Sequence, residues 1–417
     1  MGRLCRGPQE HNLTIGDILS GRDTLRRKRI GFYLGVGRHA GGMFQYAQSV
    51  VHALSAIDGT EADVIVAYGD EAWRPQFDAS ALKAVPLRHW KRGEQLAKIF
   101  MVMPGSVART LAGWINPLVR ELSSLRCDLW IFPAQDALTW QIKEPSVATI
   151  HDLMHRYERS FPEAGSWLRF QLRETRFRNL ANQSAAVLVD SDMGRHHVME
   201  SYGTREDHIY PLPYVAPSYL TGSVETADFT ERYRLPKKFY FYPAQFWPHK
   251  NHARLIRALA SARAIHPDME LVLAGSTTRE YDTVKTMANK LGLSQAIHFV
   301  GYVPDSDLAG FYHRARGLVM PTFFGPTNIP PLEAMACGCP VLISDKYGMR
   351  EQCGDAALYF APQTIGEIQG AMNRLWDDED LRASLIKKGL ERASLWKQED
   401  FDRRLKVILG RVLDQIA

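Results

Sequence analysis

No uninterrupted apolar run in this sequence approaches the roughly 20 residues needed to span a bilayer. The nearest candidate, Ile99–Val119, is broken by Pro104, Gly105, Arg109 and Pro117, so it can lie on a membrane but not cross one. The opening residues lack the apolar segment of a secretory signal, which predicts a cytoplasmic chain, able to rest at the inner face of a membrane. Cysteine is scarce, with five in 417 residues, and only Cys337 and Cys339 are close in sequence. A C-x-C pair with no His pair beside it makes poor metal geometry, so reduced structural thiols and no metal site are expected. A broad excess of one charge is also missing. The net charge is +5, but residues 1–30 hold seven Lys/Arg against three Asp/Glu, so +4 sits there and +1 is left for the rest. Without a basic stripe across the fold, a nucleic-acid partner is not expected. The run Arg26–Arg29 reads as a solvated tail.

What is present is ordinary globular composition, 45% apolar and 23% charged, in a chain long enough for two domains. The first 28 residues read as an extension. Strand Ile30–Leu34 then runs into Gly35, Gly37 and the pair Gly41-Gly42, and a helix follows with Ala47, Val50, Val51 and Leu54 on one face. Strands are predicted at Asp63–Ala67, Leu129–Phe132, Val147–Ile150, Ala185–Val189 and Ile209–Leu212, mostly separated by helices. Prolines 211, 213 and 217 break the pattern. A second series follows at Phe239–Tyr242, Leu271–Ala274, Ile297–Val300, Leu318–Met320, Val341–Ser344 and Ala357–Phe360. This predicts α/β architecture, with two Rossmann-like doubly wound domains at 29–216 and 237–398. A linker at 217–236 joins them, and a last helix over 399–417 can return to the first domain. Ligands in such sheets bind outside the carboxyl ends of the strands.

The chemically promising residues lie there. After strand Leu318–Met320 a Gly/Pro loop opens a helix near Pro331, whose N–H groups attract phosphate. Glu333 in that first turn can accept two sugar hydroxyls. After Phe239–Tyr242 comes Gln245 and then Lys250-Asn251, where a compact ammonium beside a helix start suits a diphosphate leaving group. His151-Asp152 follows strand Val147–Ile150, and Asp152 can orient the ring. Gly41-Gly42 lets backbone approach a ligand closely. Asp190-Ser191-Asp192 and Asp305-Ser306-Asp307 imitate a D-x-D metal clamp but precede helices, where Asp and Ser are ordinary caps. The Gly35/Gly37 pair lacks the third glycine of a dinucleotide fingerprint, since residue 40 is Ala40.

Leu332-Glu333-Ala334-Met335-Ala336, Gly338 and Pro340 resemble the donor motif of retaining glycosyltransferase family 4, of GT-B fold, and Lys250-Asn251 match its second motif. The resemblance covers roughly residues 29–400 and is faint over 60–125. It implies a nucleotide-sugar donor domain in the second half and an acceptor domain in the first. It passes to Glu333 the donor ribose, to Lys250 the diphosphate, to His151 a place beside the donor sugar, and to Gly41-Gly42 the approach to the diphosphate. Tyr302 and Val303 end the strand whose backbone lies against the base. Two departures stand out. Gly325 replaces the family's first Glu, and Gln245 replaces its usual Arg. Thr327, Asn328 and the N–H groups of the loop as far as Ile329 are expected to hold the sugar hydroxyls in place of that Glu.

The expected activity is retaining transfer of a sugar, mannose as first candidate, from a nucleoside diphosphate sugar to a hydroxyl of a glycan or lipid-linked saccharide, in bacterial surface polysaccharide synthesis. No cofactor is expected, and GDP-mannose, dTDP-rhamnose and UDP-sugars are the donors considered. Ile99–Val119, with Phe100, Met101, Met103, Leu111, Trp114 and Ile115 near Lys98, Arg109 and Arg120, suggests a peripheral membrane contact. The rival readings are an inactive sugar-nucleotide-binding subunit, a sugar-nucleotide epimerase of the same fold, and a metal-dependent transferase.

Overall fold

The computed structural model describes residues 27–416 apart from 38–39, 79–81, 221–228 and 279. Most of the predicted N-terminal extension and part of the linker lie outside those residues. Among the described residues the chain forms two wholly parallel sheets, one of seven strands and one of six.

The first sheet has the order β3-β2-β1-β4-β5-β6-β7. Its strands are β1 (Arg29–Leu34), β2 (Asp63–Tyr68), β3 (Lys83–Pro86), β4 (Leu129–Ile131), β5 (Ser146–Thr149), β6 (Ala186–Val189) and β7 (Ile209–Pro211). Helices cover both faces, which is why β1 reads as a continuous apolar run: Ile30, Phe32 and Leu34 enter one core and Tyr33 the other. β3 is not among the strands expected from sequence. It is an edge strand with no buried residue, so it carries none of the apolar signal that marks the others.

The second sheet has the order β10-β9-β8-β11-β12-β13. It comprises β8 (Phe239–Pro243), β9 (Glu270–Ala274), β10 (Ile297–Gly301), β11 (Gly317–Met320), β12 (Val341–Ser344) and β13 (Ala357–Phe360). In both sheets the strand order reverses beside the first strand, so the loops after β1 and β4 and those after β8 and β11 flank the two switch points where a ligand crevice forms.

Two segments pass between the domains. The first follows β7 and includes Tyr214 and a short turn at Ser218–Leu220; Leu220 and Phe229 are already packed into the second core. The second returns near Trp396, whose Nε1 donates to Pro213 O at 3.1 Å. The last helix, Gln398–Ile416, then lays Phe401, Leu405, Leu409 and Val412 into the core of the first domain, against the helix Gly42–Ser55. Gln398 Nε2 also donates to Ser49 O at 3.0 Å.

Ile99–Val119 forms parts of three helices, Trp90–Phe100, Gly105–Ile115 and Pro117–Ser124. Phe100 is buried, and Met103 and Leu111 pack against the core, so only part of the expected apolar face is free. Ile99, Val102, Val107, Trp114 and Ile115 are exposed, Trp114 to 76%.

If the last helix anchors the first domain, Phe401→Ala should cost about 3–5 kcal/mol of stability, whereas Val407→Ala on the exposed face should stay within about 0.5 kcal/mol. Denaturant melts of both variants check this; equal midpoints would mean that the helix is not an anchor.

Candidate functional site

A cleft of about 1220 Å³ opens between the carboxyl ends of the two sheets. Gly41, Gly42 and His151 face it from the first domain. From the second come Gln245, Lys250, Tyr302, Val303, Gly325, Thr327, Asn328, Ile329 and Glu333. Of the residues singled out from sequence only Asn251 does not line it.

On the first wall, Gly41 has φ 59° and ψ −125°, a conformation that glycine adopts without strain, and it precedes the helix Gly42–Ser55. A Cβ on Gly42 would stand 3.2 Å from Ile329 Cδ1, so the absent side chain there leaves room for Ile329 of the second domain. His151 is buried, with both ring nitrogens engaged. Its Nε2 donates to Pro133 O at 2.8 Å, which leaves Nδ1 to accept from Tyr214 OH at 2.9 Å. Tyr46 packs edge-on against the ring. Burial holds the imidazole below its usual range, hence neutral. The expectation for Asp152 is corrected: Pro133 and Tyr214 orient the ring, while Asp152 Oδ1 accepts from Met154 N at 3.0 Å. His151 can shape the cleft wall but has no nitrogen free for a substrate.

On the second wall, β8 leads into Gln245, a short turn Pro248–Lys250, and the helix His252–Arg263. Asn251 sits at φ 62° and is buried; its Nδ2 donates to Pro321 O at 2.9 Å and to Pro362 O at 2.8 Å. Its expected donor contact is thus corrected. The amide ties the loops after β8, β11 and β13 together, and by turning the chain it aims Lys250 into the cleft. Lys250 Nζ has no hydrogen-bond or ion-pair partner among the described residues, and burial pushes it down to about 8, against the pull of Asp152 and Glu163. Glu163 of the first domain also holds the preceding residue, accepting from His249 N at 3.2 Å and pairing with its Nδ1 at 2.8 Å. Gln245 accepts from Trp247 Nε1 at 2.7 Å.

The loop after β11 ends in the helix Ile329–Ala336. Gly325 has φ 138°, and a Cβ there would fall 2.4 Å from Asn328 Nδ2. The Asn328 carboxamide therefore occupies the space into which a side chain at 325 would grow. It stands at the N-cap without capping, and Gln352 clamps its backbone from both sides, at 3.1 Å to N and 2.6 Å to O. Thr327 behaves otherwise than expected. Its N–H, at 3.0 Å, and its hydroxyl both donate to Asp190 Oδ2 of the first domain. That hydroxyl thus forms an interdomain tie, and its oxygen retains only acceptor capacity toward the cleft. Ser191 does cap the helix Asp192–Tyr202, donation running from Gly194 N at 3.0 Å. Asp190 faces the donor loop instead and is pushed up to about 7 by burial, opposed by its bonds to Thr327 and Ser191. Glu333 is buried. Its Oε2 accepts from Tyr312 OH at 2.6 Å and its Oε1 from Tyr219 OH. Among the described residues no group of three or more His, Cys, Asp or Glu side chains is placed to hold a metal ion.

Tyr214, Glu163 and Tyr219 were not found by sequence reasoning, and Asp190 was read only as a helix cap. Each acts on a residue 63 to 137 positions away, which no local pattern discloses.

Comparison with known proteins agrees with this geometry. Residues 224–392, the core of the second domain, match the family model "Glycosyl transferases group 1". O-antigen chain mannosyltransferase B of Escherichia coli is 28% identical over 266 residues, which is 62% of this chain and 68% of that one. The serotype-specific mannosyltransferase WbdA of Escherichia coli is 30% identical over 152 residues, 36% of this chain but only 19% of the relative's length. Among solved structures, Anabaena Alr3699/HepE in complex with UDP and glucose superposes with a TM-score of 0.70 at 17% identity, covering 92% of this chain and 100% of that one. WaaG, a glycosyltransferase involved in lipopolysaccharide biosynthesis, gives 0.65 at 16% identity over 91% and 99%. At such identities the structural likeness speaks for the GT-B fold. With the group 1 match in the donor half and the mannosyltransferase relatives, it makes the chain a glycosyltransferase.

Proposed function

We propose that the chain transfers a sugar, mannose as first candidate, from a nucleoside diphosphate sugar to a hydroxyl of a glycan or lipid-linked saccharide, with retention at the anomeric carbon, in the synthesis of a bacterial surface polysaccharide. The observation that carries this reading is Lys250, a half-buried ammonium with no hydrogen-bond or ion-pair partner among the described residues, facing a cleft rimmed by a glycine loop and a helix start. The O-antigen mannosyltransferase relatives support the pathway and the sugar, and the UDP in the HepE structure supports a nucleotide donor.

In this arrangement the diphosphate lies between Lys250, Gly41-Gly42 and the N–H of Ile329, the base against Tyr302 and Val303, and the ribose at Glu333. The sugar lies under Asn328. As the bond from the sugar's anomeric carbon to the diphosphate oxygen breaks, negative charge grows on that oxygen. Lys250 and the amides are already in place to receive it. The acceptor oxygen forms its bond on the same face. Its proton goes to the departing phosphate oxygen, since neither nitrogen of His151 is free to take it. Charge neutralisation by Lys250 and backbone amides requires no divalent cation.

The reading also takes a membrane surface as partner. Ile99, Val102, Val107, Trp114 and Ile115 present an exposed apolar face, with Lys91, Arg92, Lys98 and Arg120 exposed on the same helices and their neighbour. Apolar side chains flanked by cations suit an anionic bilayer interface. Among the described residues no helix is long and apolar enough to cross a membrane.

Turnover with GDP-mannose and a mannosylated lipid-linked acceptor tests the activity. Lys250→Ala should lower it by on the order of 100-fold, or about 2.7 kcal/mol, while chelation with EDTA should leave it intact. A Lys250→Ala enzyme within threefold of wild type, or loss on chelation restored by Mg²⁺ or Mn²⁺, would sink the assignment.

A pH series adds a signature. The ammonium is charged below about pH 8, so nucleoside diphosphate affinity should be level there and decline as pH rises through that value. Lys250→Arg, which stays charged, should abolish the decline. Calorimetry between pH 6.5 and 9.5 measures it, and a flat wild-type profile contradicts the role.

Wild-type protein should float with anionic vesicles of phosphatidylglycerol, and a Trp114→Ser/Ile115→Ser double variant should remain in the dense fraction. Failure of the wild type to float removes the membrane contact.

A further inference from the structure

Each oxygen of the buried Glu333 carboxylate accepts one tyrosine hydroxyl, Oε1 from Tyr219 and Oε2 from Tyr312. An ionised carboxylate has about four acceptor sites, two on each oxygen, so each oxygen keeps capacity for one more donor. Glu333 lines the cleft, while Tyr312 is fully buried behind it on the helix Asp305–Arg314. What fits the remaining capacity is a pair of neighbouring hydroxyls, one for each oxygen.

Tyr219 is in turn held by the first domain. Gln45 Nε2, on the helix that follows Gly41-Gly42, donates to the Tyr219 oxygen at 2.7 Å. That leaves the Tyr219 proton no better acceptor than Glu333. A chain of donors thus runs from the first domain, through the segment between the domains, to a carboxylate of the second. Tyr312 fixes one oxygen from within the domain; Tyr219 fixes the other, with Gln45 of the first domain donating to the Tyr219 oxygen and standing close enough to favour the Glu333 carboxylate itself.

We propose that Tyr219, backed by Gln45, is a positioning residue that holds Glu333 for the vicinal 2′- and 3′-hydroxyls of a ribonucleotide donor. The site then disfavours 2′-deoxyribonucleotides such as dTDP-sugars. Its ribose contact is complete only with the first domain in place. This rests on Glu333 being the ribose residue of the proposed transferase.

The test is calorimetry of the full chain with GDP, UDP, ADP and CDP, followed by the 2′,3′-dideoxy form of whichever binds tightest. Tyr219→Phe should weaken the ribonucleotide about tenfold, the scale of one hydrogen bond to a charged group. It should leave the dideoxy form within about twofold, because the lost contact has no hydroxyl to act on. Gln45→Leu should show the same pattern at smaller amplitude, and it decides the matter if Tyr219→Phe does not fold. A merely structural Tyr219 would weaken both ligands equally. Equal weakening, no weakening, or tighter binding of the ribonucleotide overturns the positioning role. Wild-type protein that binds none of the four overturns the proposed function itself, and the ribose role with it.

Discussion

A half-buried lysine ammonium with no hydrogen-bond or ion-pair partner among the described residues, drawn on only at a distance by Asp152 and Glu163, is the constraint around which the cleft is built. Lowering the Lys250 pKa from its ordinary 10.5 to about 8 corresponds to roughly 3 kcal/mol against the charged form. Below about pH 8 the fold carries that cost. Between about pH 8 and the unfolded value, the unfolded chain binds more protons than the native one. The unliganded fold therefore gains stability with rising pH while the cleft loses its cation. Such a group persists only if its surroundings are over-determined, and they are. Asn251 locks the turn by two bonds to backbone carbonyls, and Glu163 grips His249 on the other side. A diphosphate would supply the missing counter-charge.

The same loops depend on the other domain to a degree that a two-domain outline does not suggest. Asp190 receives both donors of Thr327. Glu351 of the second domain caps the helix Asp192–Tyr202 of the first, accepting from Asp192 N at 2.8 Å and from Met193 N at 3.2 Å. Glu158 accepts from Tyr347 OH at 2.7 Å. These bonds cluster on the strand-end side, around the donor loop. The loop's shape is thus a joint property of two cores, and separating the domains would strip Asp190 of both Thr327 bonds and leave it only that of Ser191.

How much of this the sequence disclosed follows from what each feature costs to build. Strands buried on both faces, such as β8 with Phe239–Tyr242, must be apolar throughout and are therefore visible; β3, an exposed edge, need not be and was missed. Lys250, Glu333 and the Gly41-Gly42 loop were legible as cleft residues because they stand at strand ends and helix starts, where a doubly wound sheet opens its crevice. Asn251 and Thr327 stood in the same loops and were given ligand roles. Local pattern cannot tell a polar side chain facing a ligand from one satisfying distant backbone or a carboxylate of the other domain. Asp190 shows the converse: its Asp-Ser-Asp setting has the chemistry of a cap, and Ser191 does cap, yet its neighbour crosses the cleft.

The two departures from the glycosyltransferase pattern bear on each other. Gly325 removes a carboxylate from the sugar side of the cleft, and Gln245 removes a guanidinium from the diphosphate side. Taken together the two departures leave the formal charge of the cleft unchanged, and Lys250 is left as the lysine facing it. Restoring only the carboxylate would place a negative charge in a site short of one cation. It would also force a side chain onto a backbone at φ 138°, in space already filled by Asn328. The Asn328 amide offers both a donor and an acceptor where a carboxylate would only accept, so it can meet a sugar hydroxyl without adding charge beside the leaving group. Glycine at 325 is what gives Asn328 its room, and the half-buried Lys250 faces a cleft in which residues 245 and 328 are both neutral.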